Sequence, residues 1–240
     1  MLLNILYGGG SFSEILLELL IMIIALLPAL TFHEWAHGFA AYKLGDHTAK
    51  ADGRLSLNPL DHLDPFGTVM MLLVGFGWAK PVPVMTRNFK KPRRDFAITS
   101  LAGPFTNFIV GFFATVLYVL VVYIAVANEI ESMTVTAILS VFYYSAMFNF
   151  GLGLFNLIPL PPLDGSNVVM CLLPNRLAAQ YSKLRYYSRY IFLALIVMEN
   201  IPKLDIISYY FFWPLSVGRE FLFGISFDFA DWIFSSVFIG

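Results

Sequence analysis

The residues best suited to chemistry lie in Thr31-Phe32-His33-Glu34-Trp35-Ala36-His37-Gly38. On a helix, the four-residue spacing brings His33 and His37 onto one face a turn apart, where two neutral imidazoles can hold one zinc ion. Glu34 is too close in sequence to be a comfortable third ligand. Its carboxylate can instead accept a proton from water held by the metal, the duty of the glutamate in an H-E-x-x-H motif. The competing reading is two helix histidines in ordinary hydrogen bonds. A second chemical feature lies far along the chain, in Asn156-Leu157-Ile158-Pro159-Leu160-Pro161-Pro162-Leu163-Asp164-Gly165. Prolines at 159, 161 and 162 end any helix there. The run nevertheless stays apolar, and irregular backbone at membrane depth is tolerated only inside protein or along a wet cavity. A carboxylate in such surroundings needs a partner. Two partners suit Asp164: a bound metal, or the backbone N–H groups of a helix beginning at Gly165.

These groups must be held by apolar elements. With 58% hydrophobic and 13% charged residues and a mean hydropathy of +0.73, the 240-residue chain carries far more apolar surface than a soluble globule can hide. An all-α polytopic membrane bundle of about five to six transmembrane helices is predicted, with a re-entrant or β-like connector. It forms a single domain, with a core over about residues 13–175 and C-terminal helices over about 176–240. A net charge of −1 and the lack of a basic stripe with interleaved aromatics argue against nucleic acid. The single cysteine, Cys171, excludes an intramolecular disulfide and a thiolate zinc cage. The first thirteen residues hold no Lys or Arg, which is not the layout of a cleaved signal peptide, so the first span is expected to stay.

Flexible Gly8-Gly9-Gly10 leads into a first span from about Ser13 to Leu44. Pro28 lies one turn before His33 and either kinks the helix or is an ordinary membrane-helix proline. The connector from Gly45 to Pro65 reads as turns and short extended pieces. Its His47 and His62 are expected to be solvated loop histidines, and Asp61 and Asp64 turn formers. Phe66 to Trp78 is apolar but too short to span, which suits a re-entrant or interfacial segment. In Lys80-Pro81-Val82-Pro83-Val84, alternate prolines silence one strand edge and leave Val82 and Val84 on the other. That segment is either a docking strand for an unwound substrate or a plain linker. Further spans are predicted over about Asp95–Ala127, Thr134–Asn156, Tyr190–Met198 and Ile206–Phe223, the fourth borrowing length from the amphipathic stretch Pro174–Arg189. The aromatic tail Ile225–Gly240 reads as an interfacial helix.

Charge orients these pieces. Lys43 to Asp95 holds nine Lys or Arg against five Asp, Pro174 to Arg189 holds four basic residues and no acidic one, and the intervening loop has only Glu129 and Glu131. By the positive-inside rule the two basic segments face the cytoplasm of a cell (plasma or inner) membrane. His33, His37 and Asp164 then fall at one depth, near the cytoplasmic side.

The combination of His33-Glu34-Trp35-Ala36-His37, Gly103-Pro104-Phe105-Thr106-Asn107 and Asn156 through Gly165 resembles the site-2 protease family of intramembrane zinc metalloproteases. The likeness covers roughly residues 13–175, including Gly53 to Gly67 and Lys80 to Pro83. It implies that His33, His37 and Asp164 bind one zinc ion and that Glu34 activates water. It also implies that the substrate is a transmembrane segment of another protein, and that Asn107 and Asn156 lie near the site. An amide from either asparagine is a candidate oxyanion donor, with helix packing as the alternative. No stretch is long and polar enough for an added PDZ or CBS domain, so the minimal form is expected. A metal-binding transporter, a silent scaffold, and a membrane zinc peptidase of another family are the competing functions. The first should show internally repeated halves, which are not found.

Overall fold

The computed structural model describes residues 11–74, 78–199 and 205–238, and the leader at Gly8–Gly10 lies outside them. The first helix, α1, runs Phe12–Lys43. Ser11 starts it with a reciprocal cap: its hydroxyl accepts the Glu14 N–H, and the Glu14 carboxylate accepts the Ser11 N–H at 2.7 Å. The helix continues through Pro28. At its end, Gly45 takes a φ of +108°, its N–H reaching Tyr42 O at 3.2 Å while the Asp46 N–H reaches Ala41 O at 2.9 Å. That double closure needs a residue without Cβ at the left-handed position.

The connector holds three short helices, α2 (Thr48–Ala51), α3 (Pro59–His62) and α4 (Pro65–Val74). Asp64 caps the last of these, accepting the Gly67 N–H at 2.7 Å, so its turn-forming role is local. Ten residues of helix rise only about 15 Å, half the hydrocarbon thickness, in line with a non-spanning segment. Among the described residues the β-like character reduces to one antiparallel bridge, Leu63 with Ala79, and the Lys80 N–H donating to His62 O at 2.8 Å. His47 is exposed as expected, whereas His62 is fully buried, with Nε2 2.7 Å from Ser56 O. The solvated reading of His62 is therefore corrected: the Ser56–Leu63 turn brings its ring back onto the Ser56 carbonyl, while Ala79 and Lys80 pair with the backbone of Leu63 and His62.

Two long helices follow, α5 (Pro92–Ala127) and α6 (Met133–Asn156), then α7 (Asp164–Leu172), α8 (Asn175–Tyr181), α9 (Leu184–Glu199) and α10 (Asp205–Phe238). Among the described residues, α1, α5 and α6 are long and apolar enough to cross a membrane. They pack on one another, and α10 lies against α5 and α6. Close approach rests on small residues, since apolar side chains gain little by leaving lipid for protein. Ala25 and Ala29 of α1 and Ala146 of α6 are buried, and the Phe150 ring sits over Gly111. Leu20, Ile24, Phe113 and Val126 are exposed large apolar residues on these helices, the outward surface that hydrocarbon solvates. This is an integral membrane protein.

The C-terminal tail departs from expectation. Among the described residues no separate interfacial helix forms from Ile225 onward, because α10 runs unbroken to Phe238. Gly224 alone does not stop a helix whose far end has partners. Asp231 accepts a hydrogen bond from Tyr123 Oη of α5 at 2.7 Å, and Phe229 and Phe238 pack on Phe112 and Tyr123.

Asp46 ties the connector to the end of α1. It is fully buried, with Oδ1 accepting from Thr48 Oγ1 at 2.5 Å and Asn88 Nδ2 at 2.8 Å, and Oδ2 accepting the Met85 N–H at 2.6 Å. Burial pushes this carboxyl up, but hydrogen bonds from Thr48, Asn88 and Met85 outweigh it and hold the group below the ordinary aspartate range. A carboxyl lowered in the folded state stabilises the fold fully above its unfolded value of about 3.9, and that stabilisation fades as pH falls through the lowered folded value. The melting-temperature gap between wild type and Asp46→Asn in detergent is thus expected to be widest near neutrality and to close as pH is taken below about 4. A gap independent of pH would overturn the assignment.

Candidate zinc centre

His33 and His37 project from the C-terminal half of α1 and are both buried. Their rings meet edge to face, with centroids 4.7 Å apart. Each imidazole is held from behind by an oxygen of α5. His37 Nδ1 lies 2.7 Å from the Thr99 carbonyl, and His33 Nδ1 lies 2.5 Å from Asn107 Oδ1. A carbonyl only accepts, so the His37 proton sits on Nδ1. The Asn107 amide is oriented in the same way: its nitrogen faces the Ala29 carbonyl at 3.1 Å, which leaves its oxygen toward His33 and the proton on His33 Nδ1. Both Nε2 atoms consequently carry free lone pairs, the form that ligates a metal.

Those lone pairs converge on Asp164. Its Oδ2 is 3.2 Å from each Nε2, and the two Nε2 atoms are 3.1 Å apart. Asp164 begins α7 and is carried there by the broken chain after α6. The Leu163 N–H bonds Leu160 O at 3.0 Å, and Tyr181 Oη of α8 donates to Pro159 O at 2.5 Å. A Cβ at Gly165 would stand 2.1 Å from Leu157 O, so only glycine lets α7 start hard against the end of α6. The capping alternative for Asp164 is not realised, since Leu163 occupies the cap position without a side-chain cap bond, and the buried Asp164 Oδ2 has no hydrogen-bond partner.

Three lone-pair atoms about 3.2 Å apart with no proton between them repel one another. Around a tetrahedral ion at about 2.0–2.1 Å, neighbouring ligand atoms would stand about 3.3 Å apart. Two imidazoles and a carboxylate, one oxygen of it buried and orphaned, therefore fit zinc with one coordination position open. Among the described residues these three form the cluster of potential metal ligands.

Glu34, on the next position of α1, stands outside this ligand cluster. Its Oε2 accepts the Val82 N–H at 3.0 Å, from an extended strap over Lys80–Met85 that α1 approaches closely at Gly38. The strap is pinned on both sides of that contact, by Arg54 Nη2 on Lys80 O at 2.8 Å and by Asp46 on the Met85 N–H. Val82 is buried and its N–H is engaged, so the pairing edge expected at Val82 and Val84 is turned partly onto the protein.

The two asparagines separate. Asn107 reaches the cluster, yet both its amide hydrogens are taken, by Ala29 O and by Asn149 Oδ1 at 2.8 Å, and it has no N–H left for an oxyanion. Asn156 turns back on its own helix, donating to Leu152 O at 3.0 Å, and makes no hydrogen bond to the cluster. Sequence reasoning missed Gly103. An ideal Cβ there would lie 2.5 Å from His37 Nε2 and 2.7 Å from His33 Cε1. A helical side chain covers the turn N-terminal to it, so the bare Gly103 also leaves the Thr99 carbonyl open to His37. The only signal was its place in Gly103-Pro104-Phe105-Thr106-Asn107, which by itself says nothing of contact with an imidazole.

Comparison with known proteins bears on the family. The profile of Peptidase family M50 matches residues 120–198. The chain is 42% identical over 200 residues to a Bacillus subtilis (strain 168) protein named "Putative zinc metalloprotease YwhC", covering 83% of this chain and 87% of that one. It is 30% identical over 97 residues to "Putative zinc metalloprotease Rip2" of Mycolicibacterium smegmatis (strain ATCC 700084 / mc(2)155), covering 38% of this chain and 37% of the relative. No solved structure matches. With zinc-ligating chemistry at the helix junction and a relative of this identity over most of both chains, the chain belongs to peptidase family M50, the site-2 protease family of zinc metalloproteases.

Proposed function

We propose that this metalloprotease is an intramembrane endopeptidase that hydrolyses peptide bonds in transmembrane segments of other membrane proteins, near the cytoplasmic face. The observation that carries the reading is the meeting of His33 Nε2, His37 Nε2 and Asp164 Oδ2 within 3.2 Å inside an apolar bundle. A peptide bond in lipid is protected by the lack of water, so a wet polar pocket at that depth is what such a reaction requires. A zinc ion on these ligands supplies Lewis acidity and an open position that lowers the pKa of a water.

The remaining work falls to the chain. The α5 oxygens hold the imidazoles with Nε2 forward. Glu34 takes the proton of the attacking water as its oxygen adds to the scissile carbonyl carbon, then passes that proton to the amine nitrogen as the C–N bond breaks. The Val82 N–H keeps one Glu34 oxygen fixed and leaves the other for the water. Val84, on the same edge of the strap, is left to pair with an unwound substrate beside the base. The basic connector and the basic segment at Pro174–Arg189 support a cytoplasmic position for this end of the bundle by the positive-inside rule.

The site is tested by Asp164→Asn in the purified full chain. Replacing a charged ligand by a neutral, weaker donor is expected to strip zinc and to abolish cleavage of a transmembrane test substrate. Undiminished zinc content would remove Asp164 from the ligand set. Cleavage confined to soluble peptides, with transmembrane substrates untouched, would overturn the intramembrane assignment.

A further inference from the structure

Behind the ligand His33 lies a buried polar chain that the proposed chemistry does not touch. Asn149 of α6 is fully buried, as is Asn107. Its nitrogen donates to the Ser145 carbonyl at 2.8 Å, and its Oδ1 accepts from Asn107 Nδ2 at 2.8 Å. Because the Ser145 carbonyl can only accept, the Asn149 amide has one orientation, with its oxygen toward Asn107. That oxygen and Ala29 O then take both Asn107 hydrogens, and the Asn107 oxygen is left for His33. Turning the Asn107 amide over would set oxygen against two acceptors and an N–H against His33 Nδ1. The imidazole proton would be driven to Nε2, where it blocks coordination.

We infer that Asn149 is a positioning residue for His33, acting through Asn107 to hold the imidazole in the tautomer whose Nε2 can bind metal. The inference rests on the reading of His33 as a zinc ligand. It also ties two halves of the site together, since α6 presents Asn149 within its length and, past its broken end, delivers Asp164. Two asparagines buried among apolar helices are costly unless every hydrogen has an acceptor, and here each hydrogen bond found serves the orientation of the next group.

The test uses the full-length zinc-loaded chain in detergent, with zinc affinity read by competition against a fluorescent zinc chelator. Asn149→Leu keeps the bulk and removes the acceptor, and is expected to weaken zinc binding by about 10- to 100-fold. Asn149→Asp, neutral at this depth, can donate to Ser145 O and accept from Asn107, so it is expected to recover most of the affinity. In an Asn107→Leu background the same Asn149→Leu change is expected to add less than about twofold, because the relay is already cut. An equal loss in both backgrounds would mark a merely structural role and overturn the inference. If Asn149→Leu does not fold, Asn149→Ser withdraws the acceptor and is expected to weaken zinc in the same way, with unchanged affinity overturning the inference. A His33→Gln control separates the two levels. Retained zinc there overturns the ligand reading, while lost zinc with a wild-type Asn149→Leu affinity overturns only the relay.

Discussion

Glu34→Gln is expected to lower the rate of transmembrane-substrate cleavage by about 10²- to 10⁴-fold while leaving zinc content unchanged. Glutamine matches glutamate in shape, and its amide oxygen can still accept the Val82 N–H that now reaches Oε2 at 3.0 Å, so the strap should keep its place. What is lost is the ability to take a proton from water. The three proposed zinc ligands are untouched, and the Nδ1 partners of the two histidines, Thr99 O and Asn107 Oδ1, lie on a different helix. Were Glu34 itself a metal ligand, the same substitution would release zinc, so measuring metal and turnover on one preparation separates the roles. A variant that cuts as fast as wild type removes Glu34 from the mechanism.

Gly103→Ala is expected to cost zinc and activity together without weakening the helix that carries it. The added methyl would sit 2.5 Å from His37 Nε2, 2.6 Å from His37 Cε1 and 2.7 Å from His33 Cε1, inside any real carbon contact. Neither ring can swing clear cheaply. His37 would give up the Thr99 carbonyl and His33 would give up Asn107, each a buried bond whose loss costs about 1–3 kcal/mol. Alanine is the better helix former by about 1 kcal/mol, so α5 should retain its helicity. Circular dichroism showing full helix content beside a zinc content near zero is the expected pattern. Normal zinc loading would overturn the close approach of Gly103 to the two imidazoles.

Much of the architecture was legible along the chain. Hydrophobic length and flanking polarity place α1, α5 and α6 within about three residues of where they stand, because a span is set by bilayer thickness and by local caps such as Ser11 and Ser132. The pairing of His33 with His37 follows from helical pitch, and the proline-rich break that presents Asp164 from the absent N–H of proline. These are short-range properties, readable wherever the residues fall.

What remained hidden depends on how helices cross. Gly103 meeting two imidazoles, Thr99 O and Asn107 choosing their tautomers, Asn149 backing Asn107, and Val82 N–H holding Glu34 all join residues 40 to 80 positions apart. His62 reads as an ordinary loop histidine until its ring folds back onto the Ser56 carbonyl, and the tail continues the helix of Ile206–Phe223 while Tyr123 of α5 donates to Asp231. A polar group's partner is selected by interhelical distance and rotation, and the residue types alone leave those undetermined. The sequence therefore named the three candidate ligands, whereas the packing of α5 and α6 against α1 decided which atom of each faces the others.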